Sequence, residues 1–135
     1  MGFLYTLKKI FSKRAETKED HVDEKLRTHY YKTTKDRLVK ELEEIINNQK
    51  GFEIKSYAEN HGELVVEINK GKRAIMVITV IMVKPFRTAV DFSVTSETGI
   101  ITDFGASRKL IYFLYEDLNK KFELVGTGLG NELMN

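Results

Sequence analysis

Ala74-Ile75-Met76-Val77-Ile78-Thr79-Val80-Ile81-Met82-Val83 is a run of ten residues with a single hydroxyl and no charge. A strand with one face in water alternates polar and apolar residues, so this run predicts a strand covered on both faces. Its β-branched content favours a strand over a helix, and it is too short to cross a bilayer as a helix.

The elements around it follow from periodicity. Upstream, Leu38, Val39, Leu42, Ile45 and Ile46 repeat at helical spacing, predicting a helix over 35–49 capped by Thr33 or Thr34 and ended by Asn47, Asn48 and Gly51. Phe52 and Ile54, then Leu64, Val66 and Ile68, predict two strands joined at Asn60-His61-Gly62. Asn69-Lys70-Gly71-Lys72 leads into the long strand, and Lys84-Pro85-Phe86-Arg87 ends it, because proline cannot continue a central strand. Val90, Phe92 and Val94 point inward and Asp91, Ser93 and Thr95 outward, the pattern of a one-sided strand. Leu110, Ile111, Leu114, Leu118 and Phe122 predict a second core helix over 106–122, with Thr102 or Asp103 as cap.

The expected fold class is therefore α+β: a four-stranded antiparallel sheet with two helices packed on one face, in the order α-β-β-β-β-α. An N-terminal amphipathic helix precedes it, with Phe3, Leu4, Leu7, Ile10 and Phe11 on one side and Lys8, Lys9 and Lys13 mostly on the other. The expected divisions are a basic amphipathic segment at 1–14, a charged linker at 15–28, one domain at 29–124 and a flexible tail at 125–135. The second sheet face then holds Val65, Tyr57 and one set from the long strand, either Ile75, Val77, Ile81 and Val83 or Ala74, Met76, Ile78, Val80 and Met82. Left bare, either set would form an apolar patch that demands a partner.

Composition excludes several classes of function. With 135 residues the chain can bury roughly two-thirds of its unfolded surface as one domain. It has no cysteine, so disulfides, thiolate nucleophiles and cysteine metal sites are ruled out. The segment 1–14 holds four bases and no acid, leaving 18 bases against 20 acids in the remainder of the chain. A nucleic-acid binder carries its basic stripe on the folded body, so no nucleic-acid partner is expected, and the outward Glu63, Glu67 and Asp91 oppose one. Neither a signal peptide nor a transmembrane segment is recognised, and cytoplasmic residence is the expectation.

Few residues suggest chemistry. His21, His29 and His61 lie in separate elements without ligand spacing, so no metal site is expected, and no cofactor. Glu41, Glu43 and Glu44 interleave with Lys40 as solubilising charge on the outer face of the first helix. Gly126-Thr127-Gly128-Leu129-Gly130 follows a helix instead of a strand and opens nothing, unlike a phosphate loop. Met1-Gly2 with Thr6 matches a short myristoylation pattern of little specificity. One local motif stands out, Thr98 to Arg108, where free amides at a helix start with Asp103, Gly105, Ser107 and Arg108 could bind an anion, with Arg87 and Lys84 across the sheet end. A capped helix with a solvated arginine explains the same residues, since every helix start offers free amides.

The stretch Ser96 to Ile111, S-E-T-G-I-I-T-D-F-G-A-S-R-K-L-I, resembles the terminal signature of a widespread uncharacterised bacterial family of small domains, approximately S-R-x-G-x-x-D-x-G-x-N-x-x-R-I. Ser96, Gly99, Asp103, Gly105 and Ile111 fall near signature positions, and Tyr30 and Tyr31 before the first helix resemble the family's opening, so the resemblance covers about 29–122. The Gly99 to Asp103 spacing is one residue longer here, Ser107 replaces the asparagine, and Glu97 replaces the arginine. The resemblance implies a fold and no activity.

The functional expectation is a non-catalytic binding or adaptor domain at the cytoplasmic membrane surface or in a protein complex, with an enzyme not favoured. Residues 3–14 are the attachment element: Phe3, Leu4, Leu7, Ile10 and Phe11 can bury at the headgroup boundary while Lys8 and Lys9 meet anionic lipid or a protein partner. Alternatively the same helix covers the second sheet face, or a homodimer forms through that face. The rival class is a small anionic-ligand-binding protein or enzyme using the Asp103–Arg108 turn.

Overall fold

The computed structural model describes residues 15–17, 24–70, 72–96 and 104–127. Both predicted helices form: α1 spans Lys35–Asn47 and α2 spans Phe104–Lys121. Thr34 caps α1 by accepting the Arg37 amide, and the predicted apolar face of Leu38, Val39, Leu42, Ile45 and Ile46 is the buried one. Thr102 and Asp103, expected to cap the second helix, lie outside the described residues.

The four expected strands are β3 (Phe52–Ala58), β4 (Glu63–Lys70), β5 (Lys72–Lys84) and β6 (Arg87–Ser96). The sheet is larger than expected. Among the described residues it also takes in β1 (Ala15–Glu16), β2 (His29–Tyr31) and β7 (Leu124–Thr127). Six strands follow in the order β3-β4-β5-β6-β2-β7, all antiparallel, and β1 pairs with β6 at Ala15↔Val94. The edge of β6 opposite β5 is thus shared, with β2 opposite Thr88 to Val90 and β1 opposite Ser93 and Val94.

Two expected boundaries shift as a result. Part of the supposed tail is β7, whose Gly126 and Leu124 lie opposite Tyr30 and Tyr31. The supposed linker at 15–28 is anchored at both ends. Thr17 Oγ1 donates to Asp91 Oδ1 at 2.6 Å, Thr28 Oγ1 donates to the same oxygen at 2.7 Å, and the Phe92 amide donates to Thr17 Oγ1 at 2.8 Å. Charged composition hid this because a few buried residues, Thr17, Leu26 and Thr28, do the anchoring.

Register decides which side of each strand faces the helices. Leu64, Ile78 and Phe92 lie side by side, as do Val66, Met76 and Val94, and all six join α1 and α2 in one core. The second face of β5 therefore carries Ile75, Val77 and Ile81, while Val83 falls at a register irregularity between Met82 and Lys84. Tyr57 does not join them, because the ladder is irregular between Ile54 and Ser56. Lys55 takes up the extra place, so Ile54 and Tyr57, three residues apart, share the core side.

Residue Tyr115 of α2, outside the predicted apolar face, anchors the middle of the core. Its hydroxyl donates to the Val90 carbonyl at 2.7 Å, its ring meets Phe92 edge-on, and His29 stacks on it with centroids 3.5 Å apart. A carbonyl can only accept, so the 2.8 Å contact to the Arg27 oxygen makes His29 Nδ1 the protonated nitrogen. Nearby, the Tyr31 hydroxyl donates to Asn119 Oδ1 at 2.7 Å. Burial pushes the pKa values of both tyrosines up.

Candidate functional site

The second sheet face is partly buried within the chain. Val77, Ala89 and Tyr30 on that side are 5%, 9% and 3% exposed within a single chain. Glu67, on the same side, is paired with Arg73 and lies 3.7 Å from Lys55, and the Arg73 hydrogen bond holds its carboxyl below the ordinary range.

Exposed apolar surface collects instead at the tip of the β5–β6 hairpin. Ile81, Met82, Val83 and Phe86 are 50%, 45%, 50% and 57% exposed. The cause is unequal strand length. The β4 ladder reaches β5 only as far as Glu63↔Thr79, with one further bond from the Val80 amide to the Gly62 carbonyl at 2.7 Å, and β2 reaches β6 only as far as Thr88. Residues 81–87 continue past both neighbours as a two-stranded ribbon, and side chains that would be interior in a wider sheet stand in water.

The turn at the apex is strained. Pro85 fixes its own φ near −65°, while Phe86 has a φ of +58°, a positive value found among the other described residues only at glycines. A proline followed by positive φ is the type II arrangement, whose second central position favours glycine or asparagine. Phenylalanine there costs of order 1–3 kcal/mol. Type II geometry also splays the two strands, and beside it the ladder passes from Met82↔Thr88 to Lys84↔Arg87, leaving Val83 as a bulge.

Pleating spreads the apolar groups around this ribbon. Ile81 lies on the sheet side opposite the helices, Met82 lies on the helix side, Val83 sits in the bulge and Phe86 occupies the turn. The charges within 81–87 are Lys84 and Arg87, both basic. Fully burying one such apolar side chain is worth about 1.5–3 kcal/mol, so half-exposure leaves about 1 kcal/mol unrealised at each position.

The residues singled out from sequence are distributed differently. Asp103 and the attachment residues Phe3, Leu4, Leu7, Lys8, Lys9, Ile10 and Phe11 lie outside the described residues. Gly105 and Ser107 fall in α2, and Arg108 is exposed on it. Arg108 does not meet Lys84 and Arg87. β6 runs away from the tip toward Ser96, α2 begins only after it, and the helix returns to the tip end at its C-terminus, where the Glu123 carbonyl accepts from the Lys32 amide. Lys84 and Arg87 thus stand at the opposite end of β6 from the start of α2. Among the described residues no cluster of three or more histidine, aspartate or glutamate side chains could hold a metal ion, and no helix is long and apolar enough to cross a membrane.

The hairpin tip was missed because the apolar run reads as uniformly buried. The available signal was Lys84-Pro85-Phe86-Arg87, a two-residue turn in which proline forbids the usual hairpin types and passes positive φ to phenylalanine. Compared with known proteins, the chain matches no protein-family model, no curated protein and no solved structure.

Proposed function

We propose that this chain is a non-catalytic binding or adaptor module that docks at the cytoplasmic face of a membrane or in a protein complex. The observation that carries the reading is the strained apolar apex, with Phe86 at positive φ and Ile81, Met82 and Val83 beside it in water. Phe86 is more than half exposed at a turn position that favours glycine or asparagine, and backbone strain of this kind concentrates at binding sites.

Magnitude argues for more than one point of attachment. Four half-buried side chains at about 1 kcal/mol each correspond to a millimolar dissociation constant before association costs are counted. The basic amphipathic segment 3–14 is the natural second element, because linking two weak contacts raises avidity by roughly 10²–10⁴-fold. β1 ties the chain at Ala15 to Val94, seven residues along β6 from Arg87. At about 3.4 Å per residue Ala15, where segment 3–14 joins the sheet, stands roughly 24 Å from Arg87 along β6.

The test is a photo-crosslinking phenylalanine analogue at position 86, with position 113 on the outer side of α2 as control, irradiated in cells. Adducts to lipid or to another protein from position 86 and not from 113 are expected. Equal labelling at both positions, or none at 86, defeats the docking reading.

A further inference from the structure

We propose that the β5–β6 apex is a lipid-insertion element, and that its partner is an anionic bilayer surface entered tip first. The inference rests on the docking reading above and names the partner of that same apex.

Three features favour a bilayer over a protein. Ile81 faces one side of the ribbon, Met82 faces the other, Val83 sits in the bulge and Phe86 crowns the turn. A protein patch would meet one side, whereas acyl chains surround all of them at once. The ribbon extends four residues beyond Val80 to Lys84, about 13 Å at strand rise, which spans the roughly 5–10 Å depth of the headgroup and acyl boundary. Lys84 is exposed beside the apex, so a basic group accompanies the apolar groups into the headgroup layer. A two-stranded ribbon pairs only its inner backbone groups, which stops it at this boundary and keeps it out of the hydrocarbon.

The chain contains no tryptophan, so Phe86→Trp supplies a lone reporter at the apex and Phe113→Trp one on α2. Each full-length variant is mixed with phosphatidylcholine vesicles with and without phosphatidylglycerol, at low and high salt. Emission from Phe86→Trp is expected to shift to the blue and escape an aqueous quencher on anionic vesicles only, with salt reversing the effect, while Phe113→Trp is unmoved. In sedimentation on the same vesicles, Lys84→Glu is expected to lose about tenfold in partitioning.

Vesicle binding in which Phe86→Trp stays in water overturns the inference, since the apex is then not the element that enters. Equal shifts on neutral and anionic vesicles overturn its electrostatic half. No vesicle binding, combined with crosslinks from position 86 to a protein, ends the lipid assignment and leaves the docking reading standing.

Discussion

Phe92 and Phe86 belong to one hairpin and differ completely in their surroundings. Phe92 lies in the middle of β6, flanked by Ile78 of β5 and packed edge-on against Tyr115, and is fully buried. Phe86 caps the same hairpin at a positive φ and is more than half exposed. Residue type is constant between the two, and so is the apolar character of β5 beside them. Lateral neighbours make the difference: β6 has partners on both sides at Phe92 and only β5 beyond Thr88.

The largest expected contrast is truncation of the two rings. Phe92→Ala should cost about 3–5 kcal/mol, because it removes a large side chain from a close-packed core and leaves a cavity. Phe86→Ala should stay within about 0.5 kcal/mol of the parent in the same denaturant titration. Comparable losses at both positions would mean that the apex is packed in solution.

Gly62 marks where the supported part of β5 ends. It has a φ of +63°, its carbonyl accepts from the Val80 amide, and a Cβ added there would meet the Val80 carbonyl oxygen at 2.1 Å. Gly62→Ala should therefore cost about 2 kcal/mol or more, through left-handed strain combined with displacement of β4 from β5. Amide exchange should rise at Val80, moving the overhang inward by a residue or more. An alanine variant of unchanged stability would show that β4 does not close on β5 at this point.

The supported half should also be the alkali-sensitive half. Burial raises the pKa values of Tyr31 and Tyr115, so in the folded chain both stay protonated where an unfolded tyrosine, near pH 10, has begun to ionise. The unfolded state then binds fewer protons than the native one, and stability falls as pH rises above about 10, by up to about 1.4 kcal/mol per unit for each tyrosine. Tyr115→Phe should cost about 1 kcal/mol at neutral pH, through the lost bond to the Val90 carbonyl. The same variant should have a visibly shallower decline above pH 10, read from urea midpoints across the range, and an unchanged slope would place Tyr115 in contact with water.

How much of this was legible in the sequence depends on what each signal measures. Periodicity reports burial along one element, so α1, α2 and strands β3 to β6 could be read from their own residues. It says nothing of where a neighbouring strand stops, which is why Met76-Val77-Ile78 and Ile81-Met82-Val83 look alike and are buried and exposed respectively. β2 and β7 are too short, at three and four residues, to display an alternation, and Gly126 weakens the second further. The Lys55 irregularity that turns Tyr57 to the core side belongs to a pair of strands and to neither alone. Of the candidate site, only the turn was written locally, in Pro85 followed by Phe86. The attachment residues at 3–11 and the Asp103 motif were chosen on local pattern, and neither signal could locate the apex.

The smallest expected effect on stability is also the one whose sign matters most. Asparagine accepts left-handed backbone more readily than phenylalanine and avoids the entropy cost of glycine, so Phe86→Asn should relieve the turn while giving up no interior contact. Stability should hold or rise by up to about 1 kcal/mol. Docking should fall together with that gain, because the ring that strains the apex is the ring that leaves water on contact. A substitution that stabilises the fold and weakens attachment would place Phe86 among residues kept for what they touch outside the molecule. Loss of stability in Phe86→Asn would show that the ring packs within the chain, and the distinction between the two phenylalanines would disappear.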